Sequence, residues 1–120
     1  MEEKKWPFED LRVWQESMNW VEEIYLKSQN FPAQEQYGLN RQLRRAALSV
    51  PLNISEGRGR HHKKEYIQFL YTARGSLYEV ITCLKLAVRL KFIKKEKIDE
   101  LQGQSNQIHR QLNALIKSLR

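Results

Sequence analysis

Apolar side chains recur every three or four residues in four separate stretches of this chain, and none of the stretches alternates as a strand would. In the first, Leu11, Trp14, Met18, Val21 and Tyr25 stand at spacings of 3-4-3-4, which is one continuous stripe down a helix. Asp10 is its expected N-cap. Asn30-Phe31-Pro32 ends it, because a proline disfavours helix at the residue before it. The same helix carries a second apolar set, Val13, Trp20 and Ile24, turned by about 120° from the first at ~100° per residue. One apolar face is enough for a helix at the edge of a bundle, so this second set is assigned to an oligomer interface.

The second stretch repeats through Leu39, Leu43, Ala46, Ala47, Val50 and Ile54, and Pro51 interrupts it. A proline there removes an amide from the helical ladder, so the helix is expected to kink or pause at that point. The third keeps its beat through Tyr66, Leu70, Ala73, Leu77, Val80, Leu84 and Val88, with Gly75-Ser76 in the middle. A mid-helix glycine costs about 1 kcal/mol relative to alanine, so Gly75 is read as the place where a neighbouring helix comes close. The fourth runs Ile98, Leu101, Ser105, Ile108, Leu112, Leu115 and Leu119.

These patterns predict helices over residues 9–29, 33–56, 63–91 and 94–119, with a short basic turn at 57–62, in one domain spanning 1–120. Short connections force neighbouring helices to run in opposite directions. The expected fold is all-α: an antiparallel up-and-down four-helix bundle, left-handed by its 3.5-residue average period.

Charge sharpens the functional reading. The net charge is +7, but residues 1–40 hold 4 basic and 8 acidic side chains, residues 41–64 hold 7 and 1, and residues 85–97 hold 6 and 1. Two basic patches behind an acidic start fit a surface that meets polyanions. The sharpest local feature is Arg58-Gly59-Arg60-His61-His62-Lys63-Lys64. Arginine forks bind phosphate in bidentate fashion and glycines let the backbone approach it. With Arg41, Arg44 and Arg45 on the preceding helix, Arg58, Arg60, Lys63 and Lys64 form the candidate nucleic-acid site. No aromatic side chain is interleaved in the turn, so stacking of single-stranded bases is not expected.

Other chemistries find weaker footholds. Glu56 is a lone carboxylate beside arginines, better suited to an ion pair than to acid–base work. His61 and His62 are adjacent and lack acidic or thiol partners, so neither a metal nor another cofactor is expected. Arg58 with His62 is the one pair that could serve a helical ribonuclease. A single cysteine, Cys83, gives no disulfide framework. The charged start has no apolar segment behind it, and no apolar run approaches the ~18 residues of a membrane span. A cytoplasmic, non-enzymatic binding protein is expected, with a protein-binding scaffold as the alternative.

A long ordered string adds a family. Tyr37-Gly38-Leu39, then Gln42-Leu43-Arg44-Arg45-Ala46-Ala47, Ser49-Val50-Pro51 and Asn53-Ile54-Ser55-Glu56-Gly57 resemble the bundle proteins encoded in intervening sequences of bacterial 23S ribosomal RNA genes. Glu65-Tyr66, Phe69-Leu70 and Gly75-Ser76-Leu77 extend the match. The resemblance implies a homo-oligomer, a pentamer by preference. Through distant relatives it also implies an accessory role beside a retroelement reverse transcriptase. Three positions depart from the pattern: His62 stands where the family has a capping serine, Arg74 replaces a small or apolar residue, and Lys91 replaces a glycine after the third helix.

Overall fold

The computed structural model describes residues 5–120; residues 1–4, on which the reading of no leader partly rests, lie outside them. Four helices carry the fold: α1 (Arg12–Ser28), α2 (Leu39–Arg58), α3 (Lys63–Arg89) and α4 (Lys95–Leu119). Short 3-10 turns at Pro7–Asp10 and Ala33–Glu35 precede α1 and α2. Among the described residues there is no strand, and the chain is all-α as its periodicity predicts. Asp10 closes the first turn instead of capping α1, whose N-cap is Leu11.

Each helix packs on two neighbours, α1 on α2 and α4, and α3 on α2 and α4. Hydrogen bonds set the register, and partner numbers run in opposite senses across the α1–α4, α2–α3 and α3–α4 pairs. Glu16 accepts from Gln111 at 2.7 Å and Trp20 donates to Ser105 at 3.0 Å. Gln42 donates to Glu79 at 3.2 Å, and the hydroxyls of Ser49 and Ser76 lie 2.9 Å apart. Arg74 donates to Asn113 and the Tyr78 hydroxyl meets His109 Nε2, both at 2.9 Å.

The face that α1 buries corrects the sequence reading. Val13, Ser17, Trp20, Val21, Ile24 and Ser28 are its buried residues, while Met18 and Tyr25 are exposed. Trp20 is 0% exposed. Val13, Trp20 and Ile24 are therefore core, and the oligomer role assigned to them falls. The reason lies in two serines. Ser17 donates to the Trp14 carbonyl at 2.8 Å and Ser28 to the Tyr25 carbonyl at 3.3 Å. Each hydroxyl is satisfied within its own helix, so burial carries little penalty, and the small side chains let α1 settle deeply. The Trp20 indole N–H, which would be costly to bury unpaired, finds Ser105, whose hydroxyl in turn donates to the Leu101 carbonyl at 2.7 Å.

Expectations for α2 and α3 also shift. α2 does not pause at Pro51, which is buried within the continuous helix. Nearby, the Asn53 side-chain amide donates to the Ser49 carbonyl at 2.8 Å and to its hydroxyl at 2.9 Å. With the Ser49–Ser76 contact, this makes a polar seam between α2 and α3. Gly75 faces open space, with nothing within 4 Å of where a Cβ would stand. The close approach is at Gly57 instead, where a Cβ would lie 2.7 Å from that of Phe69.

α3 ends in a Schellman turn. The Phe92 amide donates to the Ala87 carbonyl at 2.9 Å and the Lys91 amide to the Val88 carbonyl at 3.0 Å. Lys91 takes the left-handed φ of 63° that this turn requires. Glycine reaches that conformation freely, whereas a side chain costs about 1–2 kcal/mol. The Lys91→Gly variant is expected to gain about 1 kcal/mol in urea unfolding; an unchanged or lowered midpoint would show that lysine is at ease there.

Candidate nucleic-acid interface

The seven cations read from the sequence separate into two groups. Arg41, Arg44 and Arg45 lie near the start of α2, and Arg58 closes it. At 1.5 Å per residue they are about 25 Å apart along the helix. Between them, on the outward side of α2, stand the exposed side chains of Leu48 and Leu52. The cations thus form two patches at opposite poles, not one track.

At the first pole Arg44 is already engaged. Its guanidinium donates to the Tyr25 carbonyl at 3.0 Å and to the Ser28 hydroxyl at 2.9 Å, and lies 4.7 Å over the Tyr25 ring. It ties α2 to the last turn of α1, where a cation also suits the negative end of the helix. Arg44 is a structural residue, which corrects its assignment to the binding site. Arg41 and Arg45 are exposed and flank an open cleft that also reaches Tyr37 and Asn40.

The second pole is the turn between α2 and α3. Arg60 pairs with Glu56 at 3.2 Å and stacks 4.7 Å from the Phe69 ring, so part of its charge is spent on holding the turn, and Glu56 is occupied. Arg58, Lys63 and Lys64 are exposed and make no side-chain ion pair among the described residues. They surround the start of α3, where His62 supplies no side-chain cap. The first amides of α3 therefore have no side-chain acceptor at the N-cap, and the positive end of the helix adds to the cationic field. Below the turn the Tyr66 ring is buried; burial pushes its hydroxyl above the usual range, and the nearby Arg58 charge pulls it partly back. Arg58 and His62 share this exposed turn, and no hydrogen bond joins them.

Sequence reasoning named residues 85–97 as basic but placed none of them in a site. Lys85, Arg89, Lys91, Lys94, Lys95 and Lys97 are all exposed. They gather at the same pole as Arg41 and Arg45, because α3 ends and α4 begins there. Among the described residues no group of three His, Cys, Asp or Glu side chains converges. Among the described residues no helix is long and apolar enough to cross a membrane.

The fold and site define a class: a small all-α four-helix protein with cations gathered at its poles. The family model described as 23S rRNA-intervening sequence protein matches residues 9–114, and the chain belongs to that family. A crystal structure from Bacteroides thetaiotaomicron, described as a protein with unknown function from the S23 ribosomal protein family, shares the fold. Its TM-score is 0.81 at 23% identity, covering 88% of this chain and 98% of that one. No curated protein matches the chain.

Proposed function

We propose that this chain is a non-enzymatic, homo-oligomeric protein that binds RNA or DNA through phosphate contacts. In this reading the bundle is antiparallel and left-handed, and its copies close into a ring in the cytoplasm. The observation that supports it best is the turn between α2 and α3. Three exposed cations, Arg58, Lys63 and Lys64, surround a helix start without a side-chain cap. Repetition of that turn around an oligomer would add avidity to weak single contacts. A second reading, a scaffold for a protein partner such as a reverse transcriptase, draws on Leu48 and Leu52, exposed apolar side chains that phosphates would not satisfy.

Binding of labelled RNA and DNA at several salt concentrations tests the proposal. Log affinity is expected to fall linearly with log salt, at a slope of about −0.7 to −0.9 per phosphate neutralised. Arg58→Glu combined with Lys64→Glu should weaken binding to every sequence alike and flatten the slope by about two contacts. RNA should stay intact throughout the incubation. Absence of binding at roughly 0.15 M salt, or binding indifferent to these two side chains, leaves the scaffold reading ahead; RNA turnover abolished by His62→Ala makes the protein a ribonuclease.

A further inference from the structure

The basic turn between α2 and α3 carries no phenylalanine, tyrosine or tryptophan, but the opposite pole brings tyrosines and free arginines together. One open cleft of ≈ 710 Å³ there is lined by Tyr25, Tyr37, Arg41, Arg45 and Leu48, among others. Its size is within the range of about 300–1,000 Å³ that receives a small organic group. Tyr37 is 79% exposed. It stacks on no ring and under no cation among the described residues, so its ring is free to receive a flat guest. Tyr25 differs: Arg44 lies 4.7 Å over its ring, and with Leu48 it makes an apolar wall. Arg41 and Arg45 are exposed and make no ion pair among the described residues.

The backbone holds Tyr37 in place. Before it, the Gln36 amide donates to the Ala33 carbonyl at 3.1 Å; after it, the Gly38 amide donates to the Glu35 carbonyl at 3.1 Å. The Glu35 carboxylate accepts from the Leu39 amide at 3.0 Å, so the acid of this segment is engaged at the start of α2. Gly38 makes room for it, since a Cβ there would stand 2.9 Å from Glu35 Oε1. A ring carried on a turn already fixed in this way loses less freedom when a guest arrives. Arg41 and Arg45 follow at steps of four residues. They are about 6 Å apart along α2, close to the reach of one nucleotide in an extended strand.

We propose that this cleft holds a single-stranded segment of RNA or DNA, one base stacked on Tyr37 and the neighbouring phosphates on Arg41 and Arg45. The inference rests on the nucleic-acid part of the proposed function and gives it a second site of different chemistry. Every base has a π face, so stacking on an aromatic ring is tolerant of sequence. The cleft therefore selects strandedness. A duplex keeps its bases stacked on one another and offers none to Tyr37, whereas the turn between α2 and α3 meets phosphates alone and takes either form. The exposed cations of residues 85–97, at the same pole as the cleft, add a field that draws the strand in.

Binding of four probes tests this: an oligoadenylate strand, an abasic strand of the same length, a duplex and adenosine monophosphate. The parent binds the oligoadenylate more tightly than the abasic strand. Tyr37→Ala weakens the oligoadenylate by roughly tenfold or more, the effect of one stacked base. It also erases the difference from the abasic strand and leaves duplex binding unchanged. Tyr37→Trp restores the preference. Arg41→Glu with Arg45→Glu weakens both strands alike and flattens the salt slope by about two contacts. An unchanged urea midpoint shows that each variant is folded. No binding of any probe at roughly 0.15 M salt overturns the nucleic-acid reading and this site together. A parent that binds both strands equally, or a Tyr37→Ala variant that matches the parent or loses strand and duplex alike, overturns the cleft alone. Adenosine monophosphate bound as tightly as the strand also overturns it, in favour of a free-nucleotide site.

Discussion

Trp20→Asp is expected to unfold the protein, not merely to dissociate it. The indole is wholly buried between α1 and α4 and its N–H is paired with Ser105. Truncating a buried tryptophan costs about 3–5 kcal/mol, and an aspartate in its place adds an unpaired buried charge. Against a typical total stability of about 5–15 kcal/mol, that consumes most of the margin. Ser105→Ala isolates the polar part: it leaves the indole N–H buried without an acceptor, at about 1–3 kcal/mol. Urea unfolding followed by circular dichroism reads both. If Trp20→Asp keeps a full cooperative transition and loses only self-association, Trp20 faces outward after all. A Trp20→Phe/Ser105→Ala double-mutant cycle should show the pair coupled, since alanine is harmless once no indole needs an acceptor.

That same tryptophan marks the limit of what the hydrophobic pattern conveys. Helix count and helix ends on α3 and α4 were legible, because their core positions are apolar almost throughout. On α1 the buried stripe runs through Ser17 and Ser28, residues that a hydrophobicity pattern scores as solvent-facing. Their hydroxyls turn back onto carbonyls of their own helix, and nothing in the sequence announces this. The more continuous apolar row, Leu11 to Tyr25, is therefore the one the pattern marks as core, although Met18 and Tyr25 lie at the surface. A serine in the middle of α4, Ser105, reads as core because apolar residues continue the stripe on both sides of it, and it is buried.

The candidate site was legible in its composition and not in its grouping. That residues 41–64 are basic is plain from the chain, but α2 is long enough to carry Arg41 and Arg58 to different poles. Helix pairing brings the end of α3 and the start of α4 to the same pole as Arg41, which local charge counting does not register. Arg44 shows the complementary error. A cation next to Arg45 looks like part of a patch, yet it lies over Tyr25 and binds the last turn of α1, while Arg45 stays exposed. Which of two adjacent arginines is structural depends on which one faces the neighbouring helix.

Glycine offers the second large test, because the close helix approach lies at a different glycine from the one the sequence marks. Gly57 reads as a helix terminator and Gly75 as a packing site, but Gly57 is buried inside α2 and Gly75 is exposed inside α3. A Cβ at Gly57 would stand 2.7 Å from Phe69 Cβ, 3.1 Å from the Tyr66 ring and 3.3 Å from the Tyr66 carbonyl. Two of these atoms are fixed by the α3 backbone and cannot rotate away, so Gly57→Ala forces α2 and α3 apart. Overpacking of this kind costs about 1–3 kcal/mol, set against a gain of about 1 kcal/mol in helix propensity. A Cβ at Gly75 meets nothing within 4 Å, so Gly75→Ala keeps only the propensity gain, about 0.5–1 kcal/mol. The two alanine variants should move the unfolding midpoint in opposite directions, with Gly57→Ser at least as harmful as Gly57→Ala. Because Gly57 sits just before Arg58, spreading the helices there should also weaken nucleic-acid binding at the turn, while Gly75→Ala leaves it unchanged. Equal and positive shifts for both variants would mean that α2 and α3 approach one another elsewhere, and that the turn carrying Arg58, Lys63 and Lys64 is not held by this contact.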